Sequence, residues 1–358
     1  MTEFQQAKAL VREYHAALAK AGPGDVADVL ARYVSPDWHW RGMHPFHEQR
    51  GPEAVADVFW RPLLSAMTSV QRRLDIFIAG WNEIDSLAGQ PIVEMGHVQS
   101  YERSGAGRQG PWVVEMGHLM ALFDRPWLGI QPTKRIAMLR YVEFNHVVDG
   151  RIVETAMFCD IIHLMMQAGQ NPLPPQTGAM LVQPGPMTHT GLCYEPQDPA
   201  RGEATLAAIN ALLKNPKAKD LGVDEATRLR RVWNEDMIWW GPGGIGATYT
   251  IERYLRQHSA PFGAALTQGY KFNGHLCRLA EGDFGGFFGW ANLTITNAGG
   301  YLGMTAGPGP SEMRVVDMYR VQDGKLSENW IFIDILHYLA KQGLDVLGRM
   351  AAVHDGGG

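Results

Sequence analysis

The sequence is short of cysteine, of clustered positive charge and of long apolar runs, and each shortage excludes something. Cysteine occurs three times in 358 residues, as Cys159, Cys193 and Cys277. Scattered and odd in number, these residues argue against a disulfide framework and fit a reducing cytoplasm. No lysine- and arginine-rich block stands out against the formal net charge of −5, so neither nucleic acid nor an anionic membrane is an expected partner. No apolar run approaches the roughly 18 residues of a membrane span. The segment MTEFQQAKALVREYHAALAKAG lacks the basic flank, apolar run and small-residue cleavage site of a secretory signal. The expected location is cytoplasmic. A nucleophile-elbow context for a Ser/His/Asp arrangement is also missing, which disfavours covalent catalysis. The glycines of Trp239-Trp240-Gly241-Pro242-Gly243-Gly244-Ile245-Gly246 are not followed by Lys-Ser/Thr, so they do not read as a phosphate cradle.

What the sequence does contain is one segment twice. Residues 140–169 read RYVEFNHVVDGRIVETAMFCDIIHLMMQAG and residues 314–343 read RVVDMYRVQDGKLSENWIFIDILHYLAKQG. They align without a gap at an offset of 174, matching Glu143 with Asp317, the turn Asp149-Gly150 with Asp323-Gly324, Asp160 with Asp334 and His163 with His337. Upstream, Trp127-Leu128-Gly129 pairs with Tyr301-Leu302-Gly303, and Asp37-Trp38-His39-Trp40 resembles Asp236-Met237-Ile238-Trp239. With a small change of offset, Gly96-His97 pairs with Gly274-His275. A period this long is too great for a solenoid and means two similar domains in tandem. Either half is long enough for a core of its own, and a chain with 46% hydrophobic residues is globular.

Helical spacing of Phe4, Ala7, Val11, Tyr14 and Leu18 predicts a first helix, with others over 24–33 and near 52–67. Strand-like runs follow at 92–101, 112–123, 135–148 and 151–160, then a helix at 161–169. Residues 72–90 have no counterpart in the second copy and read as an insertion. Helices first and hairpin-joined strands afterwards point to α+β with an antiparallel sheet. The expected organisation is a first domain over 1–170, a Pro-rich linker over 171–202, a second domain over 203–347 and a tail over 348–358. Seven prolines in 171–202 leave no room for a regular element there.

In the second copy, Asp323-Gly324-Lys325-Leu326, Glu328, Trp330, Asp334 and Gly343 resemble the C-terminal signature of SnoaL-like polyketide cyclases. In the first, Gly117-His118 and Gly129-Ile130-Gln131-Pro132-Thr133 resemble that family's Gly/His strand and Pro-Thr turn. The family belongs to the nuclear-transport-factor-2-like superfamily. The resemblance therefore implies two cone-shaped α+β barrel domains, each a curved antiparallel sheet around a deep pocket. It also implies that Asp160 and Asp334 match the aspartate that takes a proton from a carbon next to a carbonyl, without metal or cofactor. Single-domain members commonly dimerise sheet to sheet, so the tandem would form an intramolecular pseudo-dimer, open to further homo-oligomerisation. Both copies depart from the pattern: Ala156 replaces the tryptophan, Ala306-Gly307 the Pro-Thr turn, and Trp290 stands where the first copy has His118.

Alternation along 325–334 puts Leu326, Glu328, Trp330, Phe332 and Asp334 on one face, and their aromatic and acidic character marks it as the expected pocket wall. A two-residue hairpin at Asp323-Gly324 sets Asp317 opposite Trp330; a three-residue Gly-bulge turn shifts the register by one and brings Arg314 and Val316 to the Asp334 face. Sequence leaves both registers open. It also leaves Asp160 and Asp334 two roles, a partly desolvated general base or the N-cap of the following helix, with His163 and His337 in its first turn. His118, His97 and His275 lie in strand-like segments and are candidates for polarising or protonating a ligand, the alternative being satisfied core histidines. Trp40, Trp239 and Trp330 suit an aromatic pocket wall or plain core packing, with Glu143 and Asp317 as further pocket-facing acids. His258 is a lesser candidate for touching ligand. His44-x-x-His47 lacks further ligands that would make a metal site. The expected function is a cofactor-independent acid–base enzyme acting on a small hydrophobic carbonyl compound by aldol cyclisation, isomerisation or dehydration. The alternative is a non-catalytic protein binding such a molecule.

Overall fold

The structure, a computed structural model, describes residues 2–94, 97–100, 110–266 and 268–355. The first half begins with α1 (Glu3–Leu18), whose N-cap Thr2 accepts from the Gln5 amide, and α2 (Val26–Tyr33). Next come β1 (Val34–Gly42), β2 (His47–Arg50), and a helix in three pieces: α3 (Pro52–Val55), a π-turn Ala56–Trp60 and α4 (Arg61–Ala66). Then follow β3 (Met67–Gly80), β4 (Pro91–Glu94), β5 (His97–Ser100), β6 (Trp112–Phe123), β7 (Ile136–Val148), β8 (Arg151–Cys159) and α5 (Ile161–Gln167). The second half opens with α6 (Pro199–Leu213), α7 (Ala218–Leu221), α8 (Glu225–Leu229), β9 (Trp233–Trp240) and β10 (Thr248–Tyr249). Its broken helix is α9 (Ile251–Tyr254), a π-turn Leu255–Ser259 and α10 (Ala260–Leu266). The strands β11 (Gln268–Phe272), β12 (Cys277–Glu281), β13 (Phe284–Phe288), β14 (Leu293–Thr296), β15 (Pro310–Met313), β16 (Val315–Gln322) and β17 (Lys325–Ile333) precede α11 (Ile335–Lys341) and α12 (Val346–Asp355).

Each half builds a six-stranded sheet in the same order, β2-β1-β8-β7-β6-β3 and β10-β9-β17-β16-β13-β12. The strand pairs of both sheets are antiparallel, as an α+β fold expects, except for one parallel pair in each, β1 with β8 and β9 with β17, which departs from the all-antiparallel expectation. The repeat is structural down to backbone angles: Leu128 and Leu302 both adopt left-handed conformations, at φ 55° and 51°. The expected insertion at 72–90 falls elsewhere. Residues 72–80 belong to β3, whose partner strand is β6, while β12 meets β13 through the tight turn Gly282-Asp283. The extra length of the first half lies in the connection from β3 to β6, which carries the β4–β5 hairpin. His97, on β5 of that hairpin, therefore has no place equivalent to His275, and Gly96 lies outside the described residues.

Both hairpin turns are two residues long with positive φ at each, Asp149 48° and Gly150 71°, Asp323 52° and Gly324 73°, as a type I′ turn requires. A bulge then intervenes. Val321 faces Leu326, but Arg320 faces Glu328, so Ser327 is the extra residue and Asp317 ends opposite Ile331 instead of Trp330. The turn follows the first reading of the sequence and the register follows the second, because a β-bulge slips the ladder by one residue.

The two sheets pack face to face. Phe144 meets Phe288 at 5.0 Å between ring centroids and Phe158 meets Trp290 at 5.7 Å. Buried Arg140 lays its guanidinium 3.9 Å over the Phe332 ring and donates to the carbonyls of Ile331 and Trp240 at 3.0 and 3.3 Å. At the sheet edges, Lys8 on α1 reaches across to Glu281 on β12 at 2.6 Å, and Glu281 also accepts from the Ala79 amide at 2.7 Å. Both side chains are nearly inaccessible, and burial raises the Glu281 pKa against the pull of Lys8. Removing one member of such a pair strands a buried charge. Lys8→Met is expected to destabilise the chain by about 3 kcal/mol, and the double variant with Glu281→Gln to recover most of that loss, as read from urea unfolding.

Candidate active site

A cavity of about 410 Å³ opens in the second half, within the range of small-molecule sites. Its floor is the sheet face carrying Trp233, Trp239, Phe287, Asp317, Asn329 and Ile331; Tyr254, His258 and Phe262 of the broken helix form its lid. Asp317, buried on β16, accepts from Asn329 Nδ2 at 3.0 Å. Burial pushes its carboxyl up to about 6, against the opposing pull of Asn329, Tyr319 and Arg278. The partner of Asp317 across the sheet is Phe287, and His275 stacks on that ring at 3.9 Å. Arg278 Nη1 lies 2.7 Å from His275 Nδ1. A guanidinium only donates, so Nδ1 accepts and the ring proton sits on Nε2. Burial and Arg278 hold His275 well below the ordinary histidine pKa, which keeps it neutral. His258 stacks on Trp239 at 3.9 Å with 20° between planes, and burial lowers it to about 3.

The first half uses the same strand positions differently. Glu143 pairs with Glu115 across the sheet where Asp317 pairs with Phe287. Arg72 from β3 bonds both carboxylates, at 3.1 Å for Glu143 and closer for Glu115. His15 from α1 sits 2.7 Å from Glu115 and 3.7 Å from Glu143, and the Tyr141 hydroxyl donates to Glu115 at 2.9 Å. Burial acts to raise Glu143, yet His15 and Arg72 hold its carboxyl down at about 2. Burial and Arg72 act to lower His15, but Glu115 and Glu143 raise it. His15, Glu115 and Glu143 bring three ligand atoms within 4.8 Å of one another, the spacing a metal ion uses. Arg72 already bridges the two carboxylates, so charge balances there without an ion. The nearest open space is a smaller cavity of about 280 Å³ reaching His15, Arg72 and Trp60.

Asp160 and Asp334 are N-caps, accepting from His163 N at 3.0 Å and His337 N at 3.2 Å. The other oxygen of each accepts from the opposite half: Asp160 from Gly243 N at 2.8 Å, Asp334 from His44 N at 3.0 Å. Burial raises Asp334 to about 6, but neither aspartate lines the cavity. Trp330 donates to the Pro184 carbonyl at 3.0 Å on that same face. The face of β17 expected to line the pocket instead meets the first half and the segment before α6, while Asn329, Ile331 and Ile333 face the cavity. His118 lies 3.3 Å from Asp75 on β3, outside the cavity. His163 and His337 are first-turn residues of α5 and α11, Trp40 packs on Phe46 and Phe59, and the His97 side chain lies outside the described residues. Of the expected set, Asp317, His275 and Trp239 share the cavity, and Glu143 belongs to the first-half cluster.

Sequence reading passed over His15, Arg72, Glu115 and Asn329. One signal was available: Lys8 and His15 sit on the buried stripe of α1 with Ala7, Val11 and Tyr14, and charge on an apolar stripe asks for a buried partner. Glu115 gave no such signal, since β6 is buried on both faces from Trp112 to Leu119.

No family model matches the chain, and no curated protein does. Solved structures do. A provisionally named SnoaL-like polyketide cyclase from Jannaschia sp. CCS1 is 17% identical, covering 48% of this chain and 94% of its own, with a TM-score of 0.33. An NTF2-like protein from Burkholderia thailandensis E264 is 17% identical over 48% of this chain and 99% of its own, TM-score 0.30. An LEH-like epoxide hydrolase from M. tuberculosis is 13% identical over 43% and 98%, TM-score 0.28. The chain thus resembles SnoaL-like and NTF2-like proteins over about half its length at a time.

The buried cluster makes stability depend on pH on both sides. Glu143 is depressed from 4.5 to about 2, so its contribution is present above pH 4.5 and lost as pH falls toward 2. His15 is raised above 6.5, so its contribution is full below 6.5 and lost as pH rises through the folded value. Asp317 and Asp334, raised from 3.8 to about 6, lower stability as pH rises from about 4 to 6 and add no slope above that. Thermal unfolding across pH should show His15→Gln with a shallower alkaline limb and a reduced acid limb as well, because His15 is one of the two groups that hold Glu143 down.

Proposed function

We propose that the second half is a cofactor-independent acid–base enzyme for a small hydrophobic carbonyl compound, with Asp317 as its general base. The observation that carries this is one strand position in two environments. Glu143, tied to Arg72 and His15, is held strongly acidic, whereas Asp317, beside an open cavity and desolvated, is moved to about 6. A base poised near neutral pH suits proton transfer at carbon, and divergent environments for paired carboxyls are the usual way of assigning such roles. In the step envisaged, an Asp317 oxygen takes a proton from the carbon beside the carbonyl. The C–H electron pair becomes a C=C bond and the carbonyl pair moves onto oxygen, giving an enolate. Where the substrate carries a C=C bond conjugated with the enolate, return of the proton to its far carbon shifts the double bond and isomerises the substrate; attack of the enolate on a second carbonyl closes a ring. The first half, its carboxylates neutralised by Arg72 and His15, is assigned a supporting role.

The test uses 2-tetralone in D2O, following exchange of its α-hydrogens by NMR. The chain is expected to accelerate exchange with an acid limb near pH 6, and Asp317→Asn to slow it by at least about 100-fold while binding, read by tryptophan fluorescence, is retained. Exchange at the wild-type rate in that variant would remove Asp317 from the role. Tetralone bound but never exchanged by the wild type would make the cavity a carrier's. The same variant is expected to be more stable than wild type at pH 8, on the order of 2–3 kcal/mol, because a shift of about two pKa units is relieved.

A further inference from the structure

We propose that His258 donates the hydrogen bond that receives the substrate's oxygen, in a cavity whose aromatic walls suit a flat carbonyl compound. This rests on the reading of the cavity as a proton-transfer site.

The internal repeat supplies the comparison. Both halves break the helix that follows β2 or β10 with a π-turn, Ala56–Trp60 and Leu255–Ser259. Each turn sets an aromatic ring against the tryptophan near the end of β1 or β9. Trp40 pairs with Thr155 on β8 and Trp239 with Asn329 on β17, so the two tryptophans are equivalent. Against Trp40 lies Phe59, fully buried among Phe46, Trp60 and Trp127. Against Trp239 lies His258, which lines the cavity. Single π-turns inside helices often mark functional positions, and here the same turn carries an inert ring in one half and an imidazole in the other.

That imidazole has no hydrogen-bond partner at either ring nitrogen among the described residues. A neutral imidazole always carries one N–H and one lone pair, and the half-buried His258 ring can offer them to a ligand in the cavity it lines. Tyr254 and Phe262 flank the ring at 5.4 and 5.5 Å, so the polar edge has the cavity itself to address. Stacking flat on Trp239 fixes the ring plane and keeps both ring nitrogens in it. Burial lowers the His258 pKa and keeps the ring uncharged, and a neutral donor matches a neutral oxygen. The aromatic walls favour a flat ligand.

His258→Phe installs the residue the first half already tolerates at this place, so folding should survive; circular dichroism and thermal unfolding check that. Binding of 2-tetralone and of tetralin, its oxygen-free counterpart, is measured by tryptophan fluorescence. His258→Phe is expected to weaken 2-tetralone about tenfold and leave tetralin within about twofold, with His258→Gln, which still donates, in between. Equal loss for both ligands, no loss for either, or no 2-tetralone binding by the wild type overturns the proposal. Asp317→Asn separates the two claims. If that variant still exchanges α-hydrogens at the wild-type rate while His258→Phe selectively weakens 2-tetralone, the base assignment falls and the donor stands. Lost exchange in Asp317→Asn with no ligand selectivity in His258→Phe gives the reverse.

Discussion

Two buried aspartates hold the architecture in place. Asp160 and Asp334 each end the last strand of a sheet, cap the helix that follows and accept a backbone N–H from the other half, Gly243 in one case and His44 in the other. The loops they grip begin at the ends of β9 and β1, the strands that carry Trp239 and Trp40. Cap, strand end and inter-half bond therefore depend on two carboxylates, and the cavity wall is anchored from a residue that never touches the cavity. A side chain that satisfies two backbone amides in each of its two copies has little freedom left for chemistry.

Around that shared frame the two interiors diverge at matched positions. Glu115 and Phe287 are equivalent, as are Glu143 and Asp317, and the difference between a salt-bridged cluster and an open pocket follows from which residues accompany them. In the first half Arg72 and His15 bring positive charge to the carboxylates and fill the space. In the second, a phenyl ring and the Asn329 amide supply bulk and a hydrogen bond without charge, so Asp317 carries the desolvation that its counterpart escapes.

Much of the fold was legible because the repeat covers the most constrained part of each half: β7, β8 and α5 against β16, β17 and α11. Local chemistry placed the turns at Asp149-Gly150 and Asp323-Gly324 without deciding their type, and offered the cap as one of two roles for Asp160 and Asp334. The pocket face could not. Every residue from Leu326 to Ile333 is buried, one face against the cavity and the other against the first half, so apolar alternation carries no sign of which side is which. The bulge at Ser327 was equally silent, since a one-residue slip leaves no compositional trace when both faces are apolar. His15 and Arg72 meet Glu115 and Glu143 only through the tertiary fold, and no spacing along the chain announces that.

The doubled sheet order has a consequence for how such a site can arise. A homodimer is written by one gene, so any change that opens a pocket in one subunit opens it in both, and any stabilising cluster is likewise copied. Joining the copies in one chain breaks that symmetry. Arg72 and Glu115 can consolidate one half while Phe287 and His258 line a cavity in the other, so matched positions of one chain can diverge.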